Sequence, residues 1–469
     1  MSLSNPDITR LLIALILLLV AAHAGGQLCV RLRQPRVAGE IIGGLLLGPT
    51  LFATVLPQWQ EAIFSRGVAT GPALGAFYQL GLFLLMFCSG AALRSGVRPG
   101  ERRTAIVVAS IGNVVPFAAG ILFLVALKPG NLIGPAHNQT ALLLVFGCAI
   151  AVTSVPVIAK IMADLGILGT PFARIVLTVA VFEDIVLFIV ISVALGMVQP
   201  ASSQAFSLPS LLGIKPDTLP STLYYVAASA AFFSLPLVLG RAFLQRIAVM
   251  RGNLFAWSSP VAFQLLFLLV VTALALFLGV AAYFGAFVAG ILAGRLEGVN
   301  ARAHEAIKSF SFAVFIPIYF AIVGLQLDLL RHFDVLFFVG FLAFACVAKA
   351  LSAYVGARLS GQPKAAARNL AVALNARGGP AIVLASVAFG ARIINESFYV
   401  SLVMLALVTS IIAGAWLDAV LRRHPTEDGL FEGADKPLSG LDDRDGGKQH
   451  DPVGDRDDLS GRRTSASTR

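Results

Sequence analysis

A chain of 469 residues, 57% hydrophobic and 13% charged, with a mean hydropathy of +0.85, is too apolar for a soluble domain of that length. Its net charge of +10 does not point to nucleic acid, because the basic residues fall in short clusters between apolar runs, with no basic face and no RNA-binding motif. The composition reads as a polytopic membrane protein whose charge follows its topology.

A membrane span needs about 17–25 mainly apolar residues. On that basis about thirteen candidates follow in order, centred near Leu17, Gly44, Leu84, Pro116, Val152, Glu183, Ala230, Val270, Phe287, Tyr319, Ala345, Pro380 and Leu407. The first run, Ile8 to Ala24, lacks a basic leader and a small-residue cleavage site and is expected to stay as a permanent helix. Odd-numbered loops hold about eighteen Lys and Arg, among them Arg31, Arg33, Arg36, Arg94, Arg98, Arg102, Arg103, Arg241, Arg246 and Arg251, against about five in even-numbered loops. That bias places the amino terminus outside and the carboxyl terminus in the cytoplasm. Cys29, Cys88, Cys148 and Cys346 lie inside apolar runs without metal or disulfide spacing and read as packing residues. From His424 onward acids outnumber Lys and Arg and large apolar side chains almost vanish, so 424–469 is expected to be a disordered cytoplasmic tail.

Two pairs of stretches suggest an internal repeat. GEIIGGLLLGPTL (Gly39 to Leu51) is similar to GAFVAGILAGRL (Gly285 to Leu296), and GLFLLMFCSGAAL (Gly81 to Leu93) to IPIYFAIVGLQLD (Ile316 to Asp328). Spans one to six then match eight to thirteen. The offset is odd, so the second copy enters the membrane from the opposite side. The expected fold is an all-α polytopic membrane protein of about 13 transmembrane helices. Residues 1–422 form one transmembrane domain, with repeat one at about 8–197, a linker helix at about 220–245 and repeat two at about 258–422.

The fifth span carries Thr153, Ser154 and Pro156 at mid-depth; its repeat mate, the twelfth, carries Asn375, Arg377, Gly378, Gly379 and Pro380. Proline removes a helical donor and glycine tolerates open backbone, so both spans are expected to unwind, and a pair of breaks at matched positions marks a binding site. The sixth span, VAVFEDIVLFIV, places Glu183 and Asp184 among apolar residues, at roughly 2.5–3.5 kcal/mol each if they lie at the bilayer centre. Neighbours on a helix point about 100° apart. Lys349 stands near the middle of the eleventh span, so one acid is expected to pair with it while the other faces the ion pathway. A purely structural ion-pair cluster would leave one carboxylate over. Arg377 either neutralises carbonyl ends at the break or tunes the potential of the site.

These residues resemble the monovalent cation:proton antiporter superfamily, that is, the sodium/hydrogen exchangers, within its potassium-efflux-like branch. The resemblance spans about 8–422 and rests on QPRVAGEIIGGLLLGPTLF, the acidic pair, YFAIVGLQLDL, Lys349 and LNARGGPAIVLA. It implies a homodimer and crossed discontinuous helices. It also implies that Asp184 is the ligand of a transported Na+ or K+ in competition with a proton, and that Glu183 pairs with Lys349. Glu183 stands where the electrogenic type has aspartate, and Thr153 is followed by Ser154 where sodium-selective relatives often carry an aspartate. If the pair opens when a cation binds Asp184, Lys349 can release a second proton; the acidic pair and lysine favour this electrogenic version over a permanent bridge. The tail lacks a nucleotide-binding regulatory domain. The expected function is secondary antiport of Na+ or K+ against protons in a bacterial cell membrane, with Thr153 and Ser154 supplying oxygens. The expected partners are these ions, the lipid bilayer and a second copy of the chain, with no cofactor and no enzymatic activity. A gated cation channel and a non-transporting sensor of the same fold are the alternatives.

Overall fold

The computed structural model describes residues 4–32, 34–64, 70–91, 99–127, 132–198, 207–214, 218–249, 259–294 and 301–423. The tail at 424–469 lies outside the described residues, as do Arg33, Arg94, Arg98, Arg251 and the end of the repeat stretch at Arg295 and Leu296. The helices are α1 (Asn5–Arg31), α2 (Arg36–Leu47), α3 (Thr70–Ala91), α4 (Pro99–Leu127), α5 (Gln139–Ala151), α6 (Val155–Asp164), α7 (Pro171–Val198) and α8 (Leu219–Val249). After these come α9 (Pro260–Phe277), α10 (Ala282–Gly294), α11 (Ala301–Phe310), α12 (Ile316–Leu325), α13 (Val335–Leu359), α14 (Lys364–Ala373), α15 (Gly379–Gly390) and α16 (Glu396–Arg423), with shorter helical turns in the loops. Among the described residues the only extended pairing is an isolated antiparallel bridge between Ile133 and Ile394.

The thirteen expected centres fall on these helices, with Val152 in the gap between α5 and α6. Length and composition alone select nine spans among the described residues, beside the shorter apolar α5, α10 and α15. α5 and α15 are short because each begins or ends at a break. Polar side chains fix several starts: Asn138 accepts from the Ala141 amide at 2.9 Å to open α5, and Asp334 accepts from the Phe337 amide at 3.0 Å to open α13. Thr170 does the same for α7, accepting from the Ala173 amide at 3.2 Å.

The packing repeats itself in the way the two halves of the sequence suggest. α2 lies on α12 and α3 lies on α10, contacts that exchange if the two repeats are swapped. Each uses a reciprocal pair of glycines: a Cβ on Gly44 would strike the Ala321 backbone and one on Gly324 the Ile41 backbone, while Gly90 and Gly290 stand in the same relation to Phe287 and Phe87. Small residues let the backbones approach where lipid gives no hydrophobic drive for helix association. α4 runs along α13, which pairs the fourth span with its own mate. A buried cluster around Val108, Ile158, Ile161, Val176, Val179 and Leu370 ties α4, α6, α7 and α14 together and forms one wall beside the breaks. Leu336, Leu122 and Val114 are among the large apolar side chains left outward, as expected of helices that face lipid.

Candidate functional site

The two breaks meet and hold each other open. α5 ends at Ala151, Val152 is extended at φ −68° and ψ 141°, and α6 begins at Val155. On the other side α14 ends at Ala373 and α15 begins at Gly379. The Ser154 amide donates to the Ala376 carbonyl at 2.7 Å, and the Thr153 hydroxyl donates to the Leu374 carbonyl at 2.5 Å. Two carbonyls of the break after α14, at its cap Leu374 and at Ala376, are thus answered by donors from the α5–α6 break. Gly378 crosses so close to Val157 and Ser154 that a Cβ would stand 2.8 Å from the serine oxygen. Ser154 also accepts from the Val157 amide at 3.4 Å, which starts α6, and both Thr153 and Ser154 are fully buried. Pro156 lies in the first turn of α6, and Pro380 in the first turn of α15.

The carbonyl end of α5 receives two cations. Arg377, fully buried, donates from one terminal nitrogen to the Ile150 carbonyl and the Ala345 carbonyl, each at 2.9 Å, and from the other to the Asn375 side-chain oxygen at 3.1 Å. Asn375 is turned for this by donating its own amide to the Cys346 carbonyl at 3.2 Å. Thr409 and Ser410 on α16 hold the Arg377 backbone, the serine by donating to its carbonyl. Arg377 thus bonds the open end of α5 at Ile150 and a carbonyl inside α13 at Ala345, and its positive charge lies at the negative pole of the α5 dipole. Lys349 is the second cation: its ammonium donates to Glu183 Oε1 at 2.7 Å, to the Gly112 carbonyl at 2.9 Å and to the Ala151 carbonyl.

Glu183 is therefore the acid that reaches the lysine, its extra methylene notwithstanding. Asp184, one residue on and turned away on α7, is 1% exposed, and its Oδ1 has no hydrogen-bond partner. An ordinary buried carboxylate collects donors; Asp184 Oδ1 lacks one, as does Glu183 Oε2, but Glu183 has Lys349 on its other oxygen. The site thus contains an ion pair whose second carboxylate oxygen, Glu183 Oε2, has no partner, an arginine engaged through both terminal nitrogens but not through Nε, and an acid outside the pair. Sequence reasoning missed the backbone acceptors at Gly112, Ile150, Ala151 and Ala345, since a carbonyl carries no residue signature. One signal was present: Pro116, four residues after Gly112.

Toward the far end of α7 a cavity of about 940 Å³ opens beside Leu195 and Gly196 and is walled by Tyr78, Tyr283 and Ser386 among others. Between it and the acids lies Phe188, one turn beyond Asp184, with ring centroids 5.2–5.6 Å from Phe287, Phe284 and Tyr283 of α10. Among the described residues no cluster of His, Cys, Asp and Glu could hold a metal, and Cys29, Cys88, Cys148 and Cys346 are free thiols, Cys88 and Cys148 buried.

A family model described as the transmembrane sodium/hydrogen exchanger matches residues 13–423. The chain is 28% identical over 406 residues to the Na(+)/H(+) antiporter NhaS4 of Synechocystis, an alignment covering 85% of this chain and 94% of that one. It is 26% identical over 405 residues to a Na(+)/H(+) antiporter of Enterococcus hirae, covering 85% and 95%. Its fold is similar to that of the sodium proton antiporter MjNhaP1 from Methanocaldococcus jannaschii, with a TM-score of 0.59 at 15% identity over 89% of this chain and 97% of the other.

Proposed function

The chain belongs to the transmembrane sodium/hydrogen exchanger family, and from that premise we propose that it exchanges Na+ or K+ for protons, with Asp184 the carboxylate the two ions share. The observation that carries this reading is that Lys349 pairs with Glu183, whose Oε2 is also unpartnered, so that the neighbouring buried acid, Asp184, is left with an unpartnered oxygen and no cation bonded to it among the described residues. A lone carboxylate at that depth is costly until a proton or a metal cation neutralises it. Both loads satisfy the same group, so they exclude one another. Only a loaded site crosses at low cost, and exchange follows.

Thr153 and Ser154 are the nearby oxygens proposed to complete the cation's shell. Both hydroxyls keep lone pairs after their structural bonds are made. Hard monovalent cations favour oxygen ligands, and open backbone at this depth is tolerated only where protein or a cavity covers it. Arg377, Asn375 and the glycine–proline turn at 378–380 hold the crossing, while the Glu183–Lys349 pair opens as a cation reaches Asp184 and lets Lys349 release a second proton. The protein works as a homodimer in a bacterial cell membrane, the amino terminus outside and the carboxyl terminus in the cytoplasm, as the distribution of Lys and Arg among its loops supports.

The test is to reconstitute the purified chain in liposomes loaded with a pH dye and add Na+ and K+ in turn. The reading expects the interior to turn alkaline as the cation enters and protons leave. Cation uptake without proton movement, as through a channel, or no movement of either, as in a sensor, overturns it.

A further inference from the structure

The three N–H donors of the Lys349 ammonium meet three acceptors, and two of them are backbone carbonyls. A carbonyl inside a helix is ordinarily engaged by the amide four residues on. The Ala151 carbonyl is free of that bond because α5 ends there. Gly112, by contrast, sits in mid-helix in α4, and the residue four positions later is Pro116, a buried proline inside the helix with no N–H to give. The pyrrolidine ring thereby withholds the regular helical donor that would share this oxygen with Lys349.

We infer that Pro116 is a positioning residue of the exchange site: it opens the Gly112 carbonyl so that α4 anchors the Lys349 ammonium beside Glu183. The inference rests on the reading of Asp184 as the shared carboxylate. Its consequence is electrostatic. With an amide at position 116 the Gly112 oxygen would be shared between that N–H and Lys349, which loosens its hold on the ammonium whose charge bears on the acidic pair and on a cation arriving there. A proline that only bends α4 would have no such address.

The experiment compares the full chain in liposomes as wild type, Pro116→Ala, Lys349→Gln and the double variant, with Pro116→Ser as a second substitution should the alanine form not express. Pro116→Ala is expected to raise the half-saturating sodium concentration about tenfold, the scale of one hydrogen bond to a charged group, while the maximal rate falls far less. In the Lys349→Gln background the same substitution should change that concentration by less than about twofold, because the group it acts through is gone. An equal factor in both backgrounds overturns the inference and leaves a helix kink. If Lys349→Gln does not exchange, the cycle is read in the thermal unfolding midpoints of the four purified proteins. Shifts that add overturn the inference, and a Pro116→Ala shift that vanishes without Lys349 supports it. Asp184→Asn in the same liposomes separates the two readings: normal exchange there defeats the carboxylate assignment, whereas a silent Asp184→Asn with an additive cycle defeats only the role of Pro116.

Discussion

Removing Lys349 should cost far more than removing it together with Glu183. The two side chains are 0% and 1% exposed and meet at 2.7 Å. Lys349→Met leaves Glu183 buried without its cation, and it strips the donor from the Gly112 and Ala151 carbonyls. A buried charge deprived of its partner costs about 3–5 kcal/mol, and that dominates the two lost carbonyl bonds. For a domain of about 400 residues, an unfolding entropy near 2.1 cal/mol/K per residue turns 4 kcal/mol into a fall of roughly 5 °C in the melting midpoint. The double variant Glu183→Leu with Lys349→Met removes both charges at once and should recover most of that loss, since apolar replacements of a whole buried pair are often neutral. Thermal denaturation of the purified single and double variants, followed by size-exclusion fluorescence, measures all three. Midpoint shifts that simply add in the double variant would refute the reasoning, because the ion pair would then not be the unit that the geometry makes it.

Thr153→Ala with Ser154→Ala should raise the apparent KM for the cation and also lower the melting midpoint, the second effect following from the lost bond to Leu374 and about 1 kcal/mol for the missing helix cap. A fall in protein yield with unchanged KM would make both residues packing alone. Arg377→Lys should lower stability and cut exchange by more than about tenfold despite keeping the charge, because an ammonium cannot serve Ile150, Ala345 and Asn375 with the planar fork that serves them now. Near-normal flux in that variant would show that the break needs only a positive charge.

The features legible in the sequence were those carried by side chains out of place. Two acids and a lysine inside apolar runs, and proline with glycine or hydroxyl residues at mid-span, stand out because lipid makes them expensive; the structure joins Lys349 to Glu183 and to the end of α5, and Thr153 and Ser154 to the break between α14 and α15. The choice of which acid meets Lys349 was not legible from spacing, since a 100° turn between neighbours separates the two without saying which faces α13. The backbone acceptors were hidden for a different reason: Gly112, Ile150, Ala151 and Ala345 come from three helices, and a carbonyl carries no residue signature, although Gly112 stands where a helix lacks a donor and Ile150 and Ala151 where one ends. Pro116 marked one span's centre in the sequence, and only the position of the Lys349 ammonium gives it a partner. The repeat was legible in part: Gly44 and Gly290 align directly, whereas Gly90 and Gly324, which play matching parts in the packing, sit one step apart in the ungapped alignment.

Proton release on cation binding tests the central claim most directly. Sodium or potassium is added to the purified protein in weakly buffered detergent solution over a series of pH values, and the protons set free are counted with a pH dye for wild type and for Asp184→Asn, whose amide keeps the shape and loses the charge. If cation and proton share Asp184, the wild-type protein releases protons as the cation binds, with apparent cation affinity falling as the pH is lowered, and Asp184→Asn, still folded, releases none. Equal release from Asp184→Asn, or cation binding indifferent to pH in the wild-type protein, would contradict the account.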